Sequence, residues 1–310
     1  MNSWLTLDVF SVELAYLFSS LFTGVSLKQL EADCRLYVEQ MVQFSRQVIA
    51  DESCLMWQLI HNLVGFSMNT TILTGECMDQ TAFEKKYPGH TTCYLELGIW
   101  RQFACTYFGE YEVGAELAME RSNDRYINGM YGHVPNMFDV FYRCQCLYAA
   151  SRIMSRNMMG RWRRQQKKQN QQRKKYQKEA KRLRKMLNNW ARNGNPNVLH
   201  LCKIVDAEHY ALIGNHEKAF QFYHEAIVLS SRSGFIHDSA LANERYGDTL
   251  LEVFESTTDR SSWTVDARKK NSQIDQRSEA MLRYLQSKKL YEEWGAMKKV
   301  SLLSEHLHDL

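Results

Sequence analysis

Along this chain, apolar residues recur at spacings of three and four, which is the period of a helix that buries one face. Runs that alternate between apolar and polar residues, the pattern of a half-buried strand, are hard to find. Only 3 prolines and 15 glycines interrupt the 310 residues, so long stretches contain no strong helix breaker. The pattern predicts an all-α chain of about twelve helices.

Short turn signals separate the predicted helices. One helix is predicted to end at Gly109, and another to begin at Asn195 and Pro196, which suit the N-cap and the first turn. Because loops of a few residues make successive helices antiparallel, the chain is predicted to form helix hairpins. Two longer segments break this rhythm, an Asn- and Gly-rich loop at 122–134 and a polar insertion at 256–271.

Small residues and aromatic rings recur at fixed intervals within these hairpins. The clearest copy lies at 193–230, and two partial copies lie upstream and downstream of it. The residues concerned are Ala207, Tyr210, Gly214, Ala219, Tyr223 and Ala226, then Gly109, Gly114 and Ala118, then Ala280 and Tyr284.

Their spacing resembles the tetratricopeptide repeat, a helix–turn–helix unit of about 34 residues. In such a unit small residues let two helices approach, and rings fill the gaps between them. Gly109 and Gly214 lie 105 residues apart, close to three such periods. Lys203 and Asp206 depart from the pattern, since they stand where the repeat usually has Trp and Leu. We expect an α-solenoid of antiparallel hairpins in which these small and aromatic residues pack.

The C-terminal third carries a more specific resemblance, and "FTGVSLKQLEADCRLYVEQM" near the N-terminus shares it. Its motifs are Gly234-Phe235, the run Ala240-Leu241-Ala242-Asn243-Glu244, Tyr284, Tyr291, Trp294-Gly295-Ala296 and Lys299-Val300. These segments resemble the helical repeat tail of large multidomain signalling ATPases. In that family a kinase-like domain and a P-loop ATPase domain precede the array, and histidine-kinase or cyclase modules follow it.

The resemblance does not extend to the catalytic domains of that family. The chain contains no GxxxxGK[ST] phosphate loop and no kinase set of Gly-rich loop, HRD and DFG. What the resemblance implies is therefore the regulatory array alone. We expect either a free-standing relative of that array or a fragment of a longer protein whose catalytic domains lie outside this chain.

The segment 161–185 is the strongest charge anomaly, with 13 Lys and Arg residues and one acid. The basic residues singled out are Arg161, Arg163, Arg164, Lys167, Lys168, Arg173, Lys174 and Lys175. A solvated helix, a patch for an acidic partner or import factor, and a surface for nucleic acid or anionic membrane all remain open. Nucleic acid is the least favoured, because the aromatic interleaving typical of single-strand binders is sparse.

Residue types typical of catalytic and metal-binding sites do not form recognisable motifs along the sequence. The 8 cysteines form no CxxC pair and no Cys/His grouping at zinc spacing, so we expect reduced, buried thiols. The 10 histidines include no HExxH motif, and no GxSxG elbow is present. We therefore predict no enzyme activity, no cofactor and no catalytic or metal-binding residues.

The N-terminal stretch is apolar enough to raise the question of a membrane helix. It lacks a basic leading region, Asp8 and Glu13 interrupt it, and no uninterrupted run of about 18 apolar residues follows. We expect a core helix without a membrane span, in a chain that is intracellular and cytoplasmic, or nuclear if the basic segment acts in import.

Three regions follow from these patterns: N-terminal helical repeats at 1–155, a long basic helix or partly disordered segment at 156–192, and C-terminal repeats at 193–310. The leading hypothesis is a non-catalytic scaffold that holds a protein or peptide in the concave groove of the solenoid. The alternative from another class is a basic-helix protein that binds nucleic acid or anionic membrane.

Overall fold

The computed structural model describes residues 3–123, 134–156, 163–258 and 267–310, and within them the all-α prediction is confirmed. The described residues form thirteen α-helices and no β-strand. The helices are α1 (Ser3–Phe22), α2 (Leu27–Gln43), α3 (Gln47–Val64), α4 (Gln80–Lys86), α5 (Thr91–Phe108), α6 (Tyr111–Glu120), α7 (Val134–Arg156), α8 (Arg163–Arg192), α9 (Leu199–Leu212), α10 (His216–Arg232), α11 (Ile236–Thr258), α12 (Ala267–Trp294) and α13 (Met297–Asp309).

The two predicted interruptions coincide only in part with described residues. Residues 124–133 of the predicted loop and 259–266 of the predicted insertion lie outside the described part of the chain. At the insertion, residues 256–258 belong to the end of α11 and residues 267–271 to the start of α12. The helices therefore extend into the segment from both sides.

Polar side chains begin several helices, and a glycine follows several others. Asp79 accepts a hydrogen bond from the amide of Ala82 at 2.7 Å and so begins α4. The predicted helix start at Asn195 is a 3₁₀ turn, Pro196–Val198, which leads into α9. Gly214 follows α9 with φ +77°, a left-handed conformation that favours glycine over residues with a Cβ.

The last helices pack against the first, so the chain closes on itself. The indole Nε1 of Trp294 donates a hydrogen bond to the carbonyl of Val25 at 3.1 Å, across 269 residues of sequence. Nearby, a Cβ placed on Gly295 would lie 3.5 Å from Leu27, and α13 contacts α3. In an open solenoid each repeat contacts only its neighbours. The contacts between the last helices and the first are therefore not ones that an open solenoid would make.

Asp238 on α11 is the polar centre of this closure, and it is fully buried. Its Oδ1 accepts from the hydroxyl of Tyr107 on α5 at 2.9 Å, and its Oδ2 lies 2.8 Å from Nε2 of His200 on α9. The neighbouring His237 ring stacks on both Tyr107 and Trp294, with centroids 6.0 and 5.1 Å apart. One carboxylate thus joins three helices beside the contact with Val25.

The charge of Asp238 is retained despite its burial. Burial opposes ionisation, but His237, His200 and Tyr107 outweigh it and lower the pKa of Asp238 below its ordinary value. Burial lowers the pKa of His237 itself, although the neighbouring Asp238 opposes this effect. The junction is therefore a buried anion that neighbouring rings and a hydroxyl stabilise.

Candidate functional site

The residues predicted to pack in the clearest repeat copy lie at the α9–α10 hairpin. Ala207, Ala219 and Tyr223 are fully buried and belong to one apolar cluster. Tyr210 packs against this cluster, and its ring stacks on Phe222 with centroids 5.3 Å apart. Ala226 is also fully buried, but it belongs to the main core of the chain.

In the second copy, a missing side chain lets three helices approach one another. A Cβ placed on Gly114 of α6 would lie 2.5 Å from Sγ of Cys146 on α7 and 2.9 Å from Cβ of Cys105 on α5. Ala118, one turn later, is fully buried. Gly109 joins α5 to α6 with φ +77°.

The third copy pairs an aromatic ring with a glycine that the sequence patterns did not single out. Ala280 and Tyr284 of α12 are buried, and the Tyr284 ring would lie 3.0 Å from a Cβ placed on Gly247 of α11. The Tyr284 hydroxyl donates to Asp248 at 2.7 Å. Gly247 belongs to another helix, so spacing within one helix gave no sign of this contact.

A buried ion network surrounds Glu208 of α9, which is fully shielded from solvent. Its Oε1 accepts from Nε of Arg245 at 2.6 Å, from the hydroxyl of Tyr223 at 2.9 Å and from the amide of Gln145 at 2.9 Å. Its Oε2 accepts from Arg152 at 2.6 Å. Side chains from α7, α9, α10 and α11 therefore meet at one carboxylate.

The two arginines decide the charge state of this network. Burial alone would raise the pKa of Glu208, but Arg245 and Arg152 lower it far below its ordinary value of 4.5. Sequence patterns did not reveal the network, because its members come from four helices and no local motif links them. Tyr223 belongs both to this network and to the predicted repeat pattern.

A cavity of about 510 Å³ lies between α4, α5 and α6. Its lining is mainly apolar and aromatic, and two arginines reach it. The lining residues are Phe83, Glu84, Tyr87, Pro88, Gly89, Thr91, Cys93, Tyr94, Leu95, Leu97, Gly98, Arg101, Leu117, Glu120 and Arg121. A concave, mostly apolar surface with a few convergent polar groups is typical of ligand sites.

The two arginines of the cavity differ in their partners. Arg121 is buried and donates to Asp139 at 2.8 and 3.3 Å, so an acid of the chain neutralises it. Arg101 is half-buried, and its Nε atom is shielded from solvent without a hydrogen-bond partner. No carboxylate among the described residues forms an ion pair with Arg101. The cavity therefore offers a cationic donor on a mainly apolar wall that also carries Glu84 and Glu120.

Next to the cavity, one group of side chains in the described part of the chain could hold a metal ion. Glu52 of α3, His90 at the N-cap of α5 and Cys93 in its first turn place ligand atoms within 4.8 Å of one another. Burial, followed by the charge of Glu52, raises the pKa of Cys93 to about 12, so the thiol is protonated in the unbound protein. Sequence spacing did not indicate this group, since Glu52 is remote from the other two residues.

The basic segment forms the long helix α8. Tyr176, Ala180, Leu183 and Leu187 are buried along one face. The opposite face exposes Lys167, Lys168, Lys174, Lys175, Lys178, Lys181, Arg182, Lys185 and Arg192. Arg161 and the side chains of Arg163 and Arg164 lie outside the described part of the chain.

Arg173 differs from the other basic residues predicted to form the patch. It is half-buried, and it donates a hydrogen bond to the hydroxyl of Ser155 at 2.7 Å. Its guanidinium therefore helps to hold α8 against α7.

None of the helices in the described part of the chain combines the length and the apolar character needed to cross a bilayer. Comparison with known proteins found no family model, no curated protein and no solved structure that matches this chain. The function is therefore argued from the geometry of the chain itself.

We predict that Ala219→Leu lowers the free energy of unfolding by about 1–3 kcal/mol, because the added carbons overfill a fully buried contact. Gln221→Leu is the matched control, since it adds an apolar side chain at an exposed position of the same helix. Urea unfolding of both variants measures the difference. Equal stability of the two variants would contradict the predicted role of Ala219 in packing.

We predict that Glu208→Gln costs roughly 3–5 kcal/mol at neutral pH, because two buried arginines lose their anion. A carboxyl with a lowered pKa stabilises the fold above its unfolded pKa and loses this effect as the pH falls. The gap between wild type and variant should therefore narrow below about pH 4.5, the ordinary value for this group.

Urea unfolding at pH 7 and pH 3 measures this gap. Glu225→Gln is the control, because its pair with Lys203 is partly exposed and such pairs contribute about 0–1 kcal/mol. A gap that stayed constant with pH would show that folding does not lower the pKa of Glu208.

Proposed function

We propose that this chain is a non-catalytic interaction or regulatory scaffold, built as a solenoid of TPR-like antiparallel hairpins. The support for the hairpins is the short turn between successive packed helices, as between α5 and α6 or between α9 and α10. In this proposal, the contacts of α12 and α13 with the N-terminal helices bring the two ends of the solenoid together. The proposal agrees with the sequence resemblance to the repeat tail of signalling ATPases.

The observation that carries the proposed function is the cavity between α4, α5 and α6. Its volume of about 510 Å³ suits one or two side chains of a partner, and its aromatic walls favour apolar ones. Arg101 adds a cation that lacks an acidic partner within the described residues. Leaving a half-buried guanidinium unpaired is unfavourable, so an arriving carboxylate would gain a charge-assisted hydrogen bond.

The ligand that fits this combination is a segment of a partner protein with an apolar side chain beside an acid. The apolar side chain would lie against Tyr94 and Leu97, and the acid would pair with Arg101. Specificity would then come from both the apolar side chain and the acid of the partner segment. An apolar segment without the acid leaves Arg101 unpaired, and an acid without the apolar group leaves the cavity unfilled.

We predict that short peptides with neighbouring Leu and Glu residues bind the full chain, and that Gln in place of the Glu weakens binding. In the protein, Arg101→Gln should weaken binding of the Glu peptide about tenfold or more, since a charged hydrogen bond contributes about 1.5–3 kcal/mol. Fluorescence polarisation with labelled peptides measures both effects.

Arg192→Gln is the matched control, because Arg192 is an exposed arginine outside the cavity. The Arg101→Gln variant should still distinguish apolar from polar peptides, while no longer distinguishing Glu from Gln. Peptide binding that is the same in both arginine variants would reject the cavity as the partner site.

A second candidate function rests on the exposed face of α8. Apart from Arg182, the exposed basic side chains of α8 form no ion pair among the described residues. They are Lys167, Lys168, Lys174, Lys175, Lys178, Lys181, Lys185 and Arg192. The helix has two aromatic residues: Tyr176 is buried, and Trp190 is half-buried and packs against the core, so neither is an exposed ring for stacking on bases. A lysine-rich face without exposed rings favours an acidic protein segment over single-stranded nucleic acid.

We predict that a polyglutamate peptide binds this face and that binding weakens steeply as salt is raised, because exposed charges are screened. Replacing Lys174, Lys175, Lys178 and Lys181 with Gln should abolish it. Replacing the exposed Lys28, Lys85, Lys218 and Lys289 removes the same charge elsewhere and should leave most of the binding. Equal loss of peptide binding in both variants would show that binding depends on the net charge of the chain and not on this face of α8.

A further inference from the structure

The first turn of α5 brings three different ligand types together. Glu52 is 6% exposed and reaches the group from α3, and Cys93 is fully buried. His90 is exposed at the N-cap of α5, directly after the turn that follows α4. Sγ of Cys93 lies 3.4 Å from Oε1 of Glu52. An imidazole, a thiol and a carboxylate thus converge from two helices and one turn.

These separations suit one transition-metal ion. With zinc–sulfur and zinc–oxygen bonds of about 2.3 and 2.0 Å at a tetrahedral angle, the sulfur and oxygen ligands lie about 3.5 Å apart. The observed distance between Cys93 and Glu52 is 3.4 Å, and all three ligand atoms lie within 4.8 Å of one another. His90 is exposed, so its ring can complete the approach by a side-chain rotation.

A second carboxylate lies beside the group. Glu96, one helical turn after Cys93, places its Oε2 out of reach of solvent and without a hydrogen-bond partner. Neither Glu52 nor Glu96 forms an ion pair with Lys or Arg in the segments that the structure describes. Buried carboxylates are normally paired or bound to metal. Neither acid has such a partner among the described residues.

The hydrogen bonding of His90 leaves it able to change partners. Its Nδ1 accepts from the backbone amide of Cys93 at 3.3 Å, which is long for such a bond. In the neutral tautomer that accepts this bond, Nε2 carries the hydrogen and Nδ1 has the lone pair. A metal ion at Nδ1 would replace one weak hydrogen bond. The hydrogen on Nε2 would remain available as a hydrogen-bond donor.

We propose that Glu52, His90 and Cys93 bind one Zn²⁺ ion. Water completes the four-coordinate shell, as is typical where a protein supplies three ligands. A soft thiolate with an imidazole favours zinc over the hard cations Mg²⁺ and Ca²⁺. Glu96 lies beside the site, one helical turn after Cys93. The ion would link α3 to the N-terminus of α5, on the wall of the cavity that Cys93 also lines.

Titration of the full chain with Co²⁺, under a thiol-free reductant, tests this site. We expect one Co²⁺ per chain, a sulfur-to-cobalt charge-transfer absorption, and complete displacement by one equivalent of Zn²⁺. Cys93→Ser should lose the charge-transfer absorption. His90→Ala and Glu52→Gln should weaken Zn²⁺ affinity about tenfold or more in competition with a chelator.

His90→Ala keeps the test decisive if the buried variants fold poorly, because His90 is exposed. Circular dichroism of the metal-free variant should match that of the wild type. Zn²⁺ should raise the Tm of the wild type, since binding to the folded state stabilises it. It should not raise the Tm of His90→Ala.

Two control variants locate the ion. Cys77→Ser removes a half-buried thiol outside the group, and His308→Ala removes an imidazole that is 92% exposed at the end of α13. Both should bind Co²⁺ as the wild type does. A charge-transfer band that survives in Cys93→Ser, or disappears in Cys77→Ser, would overturn the proposal, as would a wild type that binds no Co²⁺.

Discussion

A single buried carboxylate, Asp238, is the constraint on which the closed form of this chain depends. It accepts hydrogen bonds from α5 and α9, and the ring of its neighbour His237 stacks on Tyr107 and Trp294. Because an unsatisfied buried anion costs several kcal/mol, the helices that supply its partners cannot separate independently. Trp294 extends this junction to the carbonyl of Val25, and in this way the last helices are joined to the first.

Three buried acids in this fold are satisfied in different ways. Asp238 is stabilised by aromatic and imidazole donors, whereas Glu208 is held between Arg152 and Arg245. Glu52 has only a thiol and an exposed imidazole near it, and Glu96 adds a further carboxylate. The first two therefore act as internal links between helices. The third forms no ion pair with Lys or Arg among the described residues, which is why we assign it an external cation.

Closure and the cavity involve different side chains, although α5 contributes to both. The junction around Asp238 and the network around Glu208 involve α5, α7, α9, α10 and α11, where the two central carboxylates are fully buried and hydrogen-bonded. The cavity lies between α4, α5 and α6, where Arg101 has no acidic partner among the described residues and aromatic side chains line an open space. Ligand sites are usually preformed concave surfaces, so we expect the proposed ligand to meet a cavity that is already open.

The sequence by itself determined the helical class and the local packing pattern of this protein. Apolar spacing of three and four is a property of one helix face, so it is readable without a partner. Gly214 and Gly109 are likewise local, because a left-handed turn needs glycine whatever surrounds it. Only the tertiary structure decided which faces meet. Trp294 and Val25, or Glu52 and Cys93, are joined by shape and charge across long stretches of chain, and no spacing within one helix records such a contact.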